Sequence, residues 1–313
     1  MSSEKTITKR RKRFLELMYC LEQEQDWDGV REVGRIGTER GCWNHPDQRP
    51  GDMVQGLTAN PVWSPSDFWF VDLLEAAAPA IIAEVESLGD RLDEALFKVP
   101  DEIYQGTWNQ IGIYECGRLQ PDACALLPTL ADTLAKIPEI STMVDGCAGI
   151  SKLSAGTHIT PHCGSTNARL RVHMGLQNVE DCHMRVGDHE LRWELGKCFV
   201  FDDSFEHEVF HNGSKPRVIL LADFWHPDMS PERIKHYAGP HSRKVRLDGL
   251  KQFMRRRGIR RIEIDDQGGA MFEADSATRS LVESRCKESG IRLLELKDNG
   301  KLRVERFDVE ASA

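Results

Sequence analysis

Residues 151–177 read SKLSAGTHITPHCGSTNARLRVHMGLQ, and residues 196–227 read GKCFVFDDSFEHEVFHNGSKPRVILLADFWHP. Both are short apolar runs broken by Gly, Pro, Asn and Ser, the spacing of strands in a barrel or jelly roll. Arg169-Leu170-Arg171-Val172-His173-Met174 alternates cleanly. On a strand, Arg169, Arg171 and His173 therefore share one face, and Leu170, Val172 and Met174 the other. His162 and His207 stand at the ends of short apolar strands. Arg217, ten residues beyond the second, opens the apolar run Val218–Phe224.

Upstream the pattern is helical. From Arg11 to about Arg40, Phe14, Leu17, Met18 and Leu21 form one stripe, and Trp27, Val30, Val33 and Ile36 form a second. No further copy follows, which argues against a solenoid. GCWNHPDQRPGDMVQGLTANPVWSPSDF reads as an ordered loop anchored by Trp43 and Trp63. A helix is expected from about Asp67 to Leu92, capped by Ser66 or Asp67. Strands begin at Asn109–Tyr114, and a short helix follows at about Leu126–Lys136. Helices first and strands after predict an α+β fold with helices flanking a β core.

After Pro227 the composition turns polar, and Met229–Arg243 reads as a boundary. The tail reads as a small α+β unit. Helices are expected at Leu247–Arg257 and Asp275–Ser289, and strands at Ile259–Ile264, Ile291–Leu296 and Lys301–Phe307, the last after an Asp298-Asn299-Gly300 turn. The run Arg255–Arg257 reads as a solvated helix end. The expected organisation is an N-terminal helical extension and loop (1–55), a main domain (56–240) and a C-terminal unit (241–313).

The 313 residues, 40% hydrophobic, suffice for one large core and a smaller one. A net charge of −9 argues against nucleic acid or anionic membrane as partner. No apolar run approaches the ~20 residues that span a bilayer. The basic N-terminus has no apolar segment behind it, so a secretory signal is not expected. Nine scattered cysteines without C-x-x-C read as free or buried thiols, and the expected compartment is cytoplasmic.

Two histidines with a downstream arginine suggest an iron site and an anion-binding group. Ferrous iron takes about six ligands, and oxygenases commonly supply two histidines and a carboxylate. Here His162-Cys163-Gly164 places glycine where that carboxylate would stand. Glu206 and Glu208 point away if His207 points in, and Asp202 and Asp203 read as capping or supporting groups. The expectation is a two-histidine site completed by water or a small ligand. His158, His173, His211 and His226 remain alternatives, and Cys163 beside His162 would suit zinc. The basic face of 169–173 either lies exposed or lines a cavity that grips carboxylates. Arg217 heads a buried strand with no obvious acid nearby, so a ligand carboxylate is its expected partner. Ser151 has a hydroxyl to offer the same anion.

GTHITPHCGSTNARLRVHMGL, FDDSFEHEVF and the closing ADFWHP, with weaker echoes in GLTANPVWSP and WNQIGIYECGR, resemble the catalytic domain of the aspartyl/asparaginyl β-hydroxylase family from about Gly56 to Pro227. The family consists of Fe(II)- and 2-oxoglutarate-dependent oxygenases on a double-stranded β-helix, a jelly-roll, cupin-like core. The resemblance implies that His162 and His207 bind iron and that the glycine at 164 is native to the family. It also implies that Ser151, Arg171, His173 and Arg217 hold 2-oxoglutarate and that Arg169 meets the acidic side of the substrate. One departure is Gly149, where the family has a lysine. The implied activity consumes O2 and hydroxylates an unactivated carbon, foremost the β-carbon of a free, peptidyl or carrier-bound aspartyl, asparaginyl or related acidic amino acid. The alternatives are an oxidative tailoring enzyme or halogenase, with chloride admitted at Gly164, and a non-catalytic iron- and 2-oxoglutarate-binding module. Self-association stays open.

Overall fold

In the computed structural model, which describes residues 2–99, 104–238 and the segments 262–264, 270–273, 292–295 and 301–305, the N-terminal helical pattern forms helices α1 (Ser2–Gln23) and α2 (Trp27–Glu39). The Asp26 carboxylate caps α2, accepting from Gly29 N at 2.9 Å. Met18, Val30 and Val33 bury with Cys42, Trp43 and Met53 of the following loop. Leu17, expected on the same stripe, is 49% exposed. The narrow seam takes up Phe14, Met18 and Leu21 and leaves Leu17 at its edge.

Strand β1 (Val62–Trp63) precedes helix α3 (Trp69–Leu88). Neither Ser66 nor Asp67 caps α3. Pro65–Asp67 forms a tight 3-10 turn instead, and the cap position falls on Phe68, which makes no side-chain cap bond. The Phe68 ring is buried in the core, so packing sets where this helix starts. Gly89, at φ 48°, ends α3 before the expected Leu92, and α4 (Asp90–Ala95) follows. Then come β2 (Phe97–Lys98), β3 (Tyr104–Gln105), β4 (Trp108–Glu115) and β5 (Arg118–Leu119). The short helix expected at about 126–136 is α6 (Pro128–Leu134), which starts at Pro128; α5 (Pro121–Leu126), not expected from the sequence, precedes it and α7 (Pro138–Ser141) follows. No helix among the described residues is long and apolar enough to cross a membrane.

The remaining strands of this part are β6 (Cys147–Leu153), β7 (His158–His162), β8 (Arg169–Gln177), β9 (Cys182–Val186), β10 (His189–Arg192), β11 (Cys198–Phe201), β12 (His207–His211) and β13 (Arg217–Trp225). A large sheet runs β1-β11-β8-β13-β6-β4-β2, with β5 beside β4, and a smaller one runs β10-β9-β12-β7-β3. Their pairings are antiparallel, and the two sheets form a double-stranded β-helix.

Alternation then sorts side chains into two compartments. Leu170, Val172, Met174 and Leu176 of β8, with Leu220, Ala222 and Phe224 of β13, pack against α3, α5 and α6. Ile219 and Leu221 of β13 turn the other way, to meet Met184, Val186, Val209 and Ile159 of the smaller sheet. All nine residues of β13 are buried. Each such leucine or phenylalanine stabilises the fold by about 1.5–3 kcal/mol. The polar residues Arg169, Arg171, His173, Ser151 and Arg217 are thereby brought to the inner face, between the sheets.

The chain divides into two compact units, Met1–Pro231 and Glu232–Ala313. In the second, β14 (Ile262–Ile264), β15 (Ala270–Glu273), β16 (Arg292–Glu295) and β17 (Lys301–Glu305) make an antiparallel sheet in the order β14-β15-β17-β16. β15 was not expected from the sequence. The expected helices 247–257 and 275–289, and the arginine run 255–257, lie outside the described residues.

Candidate metal centre and anion pocket

β7 and β12 place His207 directly opposite His162, with ring centroids 4.1 Å apart. Each ring is oriented by its own chain. His162 Nδ1 donates to Thr160 O at 2.8 Å, and His207 Nδ1 to Phe205 O at 2.9 Å. A carbonyl only accepts, so in each neutral ring Nδ1 carries the proton and Nε2 carries the lone pair a metal would take. Burial, and then the neighbouring His162, hold His207 neutral by pushing its pKa well below the usual histidine range. Glu206 and Glu208 point away from this centre. Glu206 binds Arg49 at 2.6 Å and Arg185 at 2.8 Å, and Glu208 binds His158 at 2.8 Å.

Among the described residues no group of three or more His, Cys, Asp or Glu side chains is arranged to hold a metal. At position 164 a Cβ would lie 2.6 Å from Asp203 Oδ2, and Gly164 N donates to Asp203 O at 2.6 Å. Asp203 receives Arg169 Nη2 at 2.9 Å and Arg171 Nη2 at 3.2 Å, and Arg171 Nε also binds Asp223 Oδ1 at 2.6 Å. Burial works against the Asp203 anion, but the two arginines outweigh it and keep its pKa well below the carboxylate range. The two arginines of the basic stripe are thus neither exposed nor unpartnered. Arg169 does not line the cavity beside the two histidines, whereas Arg171 does, with its guanidinium held by acids of the same chain.

That cavity also reaches Ser151, His173 and Arg217. Trp108 Nε1 donates to Ser151 Oγ at 3.1 Å, which leaves the serine proton for another acceptor. Arg217 is 2% exposed, and burial pulls its pKa down with only the Cys182 thiol opposing. Its Nη1 donates to Cys182 Sγ at 3.8 Å, its Nε has no hydrogen-bond partner, and its Cζ lies 4.6 Å from the centroid of the Trp193 ring. A desolvated cation–π contact gives about 2 kcal/mol, less than the several kcal/mol that burying an ion costs. Burial, then Arg171 and Arg217, keep His173 neutral, and neither of its ring nitrogens has a partner. An anion with two ends of oxygen chemistry fits these orphaned donors, and the paired imidazoles fit a divalent metal.

His158, His211 and His226 lie outside the cavity. His211 Nε2 bonds Lys215 O at 2.8 Å and His226 Nε2 bonds Thr58 O at 3.0 Å. Cys163 donates to Asp47 O at 3.7 Å, away from His162. Sequence reasoning missed Asp223 and Trp193. Asp223 has the same strand parity as Arg217, a usable signal, but its partner Arg171 is visible only through the β8–β13 register.

The model of a family described as aspartyl/asparaginyl beta-hydroxylase matches residues 75–227, a span that contains every candidate residue. The chain is 36% identical over 220 residues to the aspartyl/asparaginyl beta-hydroxylase of Homo sapiens, covering 66% of this chain and 29% of that protein. It is 34% identical over 211 residues to the aspartate beta-hydroxylase domain-containing protein 2 of Mus musculus, and 39% over 224 residues to domain-containing protein 1 of the same species. Those matches cover 64% and 65% of this chain and 60% of each relative. The chain thus spans under a third of the human hydroxylase and about 60% of the two mouse proteins.

Proposed function

This chain belongs to the aspartyl/asparaginyl beta-hydroxylase family, and on that premise we propose that it is an Fe(II)- and 2-oxoglutarate-dependent oxygenase that hydroxylates a carbon of an amino-acid substrate. The observation that carries this reading is one cavity holding two chain-oriented imidazoles at one side and a carboxylate-free guanidinium, Arg217, at the other.

His162 and His207 would hold the metal through Nε2. Arg217 and Ser151 would hold the far carboxylate of the co-substrate, and His173 and Arg171 would meet the end nearer the metal. When bound, Fe(II) and 2-oxoglutarate would supply the activation of O2, the oxidant: the co-substrate gives two electrons and leaves as succinate and CO2, with one oxygen atom entering succinate and the other the substrate carbon. The chain orients the target and keeps water out, for which Met184, Val209, Ile219 and Leu221 provide an apolar wall.

The substrate is narrowed by Gly149. A Cβ there would lie 2.0 Å from Ile111 O of the paired strand β4, so the irregular pairing of β4 and β6 admits no side chain, and no cation can reach the substrate from this position. Arg169 and Arg171 already face three acids, Asp145, Asp203 and Asp223. An acidic side chain meets few uncompensated cations here. The test is a product-mass screen under Fe(II), 2-oxoglutarate and air over aspartate, asparagine, other free amino acids, and peptidyl and carrier-bound forms. A mass gain of one oxygen matched by succinate is expected, and absence of both across the screen argues for the metal-dependent binding module instead.

A further inference from the structure

Trp193 stands in the segment between β10 and β11 and does not line the cavity. Its ring nevertheless backs two of the groups assigned to the co-substrate, Arg217 and His173. It lies against the Arg217 guanidinium at 4.6 Å and stacks on His173 at 5.8 Å with an interplanar angle of 21°. It is 3% exposed, and its indole N–H has no hydrogen-bond partner. A tryptophan buried for packing normally finds an acceptor for that N–H. Here the N–H goes unsatisfied while the ring face is in use, which singles out the face as the working part.

We infer that Trp193 is a positioning residue for the dicarboxylate co-substrate: it holds Arg217 and His173 toward the cavity before the ligand arrives. The inference rests on the oxygenase reading above. Its physical basis is the difference between an aromatic and an acidic partner. Asp203 and Asp223 take up the in-plane donors of Arg169 and Arg171 and cancel their charge. A ring takes neither: it attracts a cation through its face and leaves the in-plane N–H groups for a carboxylate. Arg217, held by Trp193 and the weak Cys182 contact, therefore keeps both its charge and its fork for an incoming anion. The same ring, with Phe199 at 5.5 Å and Phe201 at 5.0 Å from His173, fixes the plane of a neutral imidazole. Affinity gained by presenting the groups in their bound arrangement is the effect expected.

The test is calorimetric titration of 2-oxoglutarate into the Mn(II)-loaded full chain without oxygen, beside titration of Mn(II) alone. Trp193→Leu should weaken 2-oxoglutarate binding about tenfold or more, and Trp193→Phe by less. Tetrafluorotryptophan placed at 193, which keeps the shape and removes the negative ring face, should weaken it as well. Mn(II) affinity should stay at the wild-type value in all three. The fluorinated protein decides the matter should Trp193→Leu misfold. Wild-type affinity in the fluorinated protein, or a parallel loss of Mn(II) binding, overturns the positioning role while leaving the oxygenase reading intact. A wild-type chain that binds no 2-oxoglutarate sinks both.

Discussion

The Asp203 carboxylate fills the space that any side chain at Gly164 would need, with Oδ2 2.6 Å from where a Cβ would stand. The vacancy read from His162-Cys163-Gly164 is therefore a vacancy of sequence, not of volume. Gly164→Asp is expected to weaken the site rather than complete it, because the new carboxylate meets a buried anion that Arg169 and Arg171 already hold. Thermal unfolding should show a loss of about 1–3 kcal/mol, and Mn(II) binding should not tighten. Tighter metal binding by the variant would show that Asp203 can yield its place.

Removing either imidazole tests the centre itself. His162→Ala and His207→Ala should each abolish succinate production and metal binding, with little change in secondary structure. Succinate formed at the wild-type rate by His207→Ala would defeat the assignment.

Arg217 separates function from stability. Breaking a buried charge pair with the ligand should weaken the 2-oxoglutarate response of Arg217→Met by about 3–5 kcal/mol. Yet the ligand-free variant should unfold at a temperature no lower than wild type, since the guanidinium is buried without a carboxylate. A marked drop in ligand-free stability would mean that Arg217 is structural.

Asp202 predicts a pH dependence of opposite sign to the paired acids. Burial raises its pKa to about 7, despite bonds from Ser204 and Gln48. A carboxyl whose pKa is raised on folding contributes stability that is full below its unfolded value, near 4, and is lost as pH climbs to about 7. Asp203 and Glu206, both lowered, lose their contribution only as pH falls through the acid range. Denaturant titrations between pH 5 and 7 should show wild type losing stability relative to Asp202→Asn. Parallel curves would remove Asp202 as the source.

Local chemistry made much of this protein readable from its residues alone. The period of two in 169–174 defines a strand with a polar and an apolar face whatever it packs against, because side chains on a pleated backbone must alternate. The same parity sends Glu206 and Glu208 away from His207 and marks Arg217 as the head of a buried strand lacking a nearby acid. What tertiary structure alone decided is which partners those faces meet. Arg171 finds Asp223 and Asp203 through strand register and a turn, residues 52 and 32 positions away in a pairing no local pattern encodes. Phe68 rather than Asp67 holds the cap position of α3, because burial of its ring outweighs a cap bond. Gly149 is required by an oxygen of the neighbouring strand, and Trp193, from the segment between β10 and β11, meets Arg217 at the head of β13. Alternation follows from the bonds along one chain, whereas the charge and shape of the cavity arise where distant segments exclude water from one another.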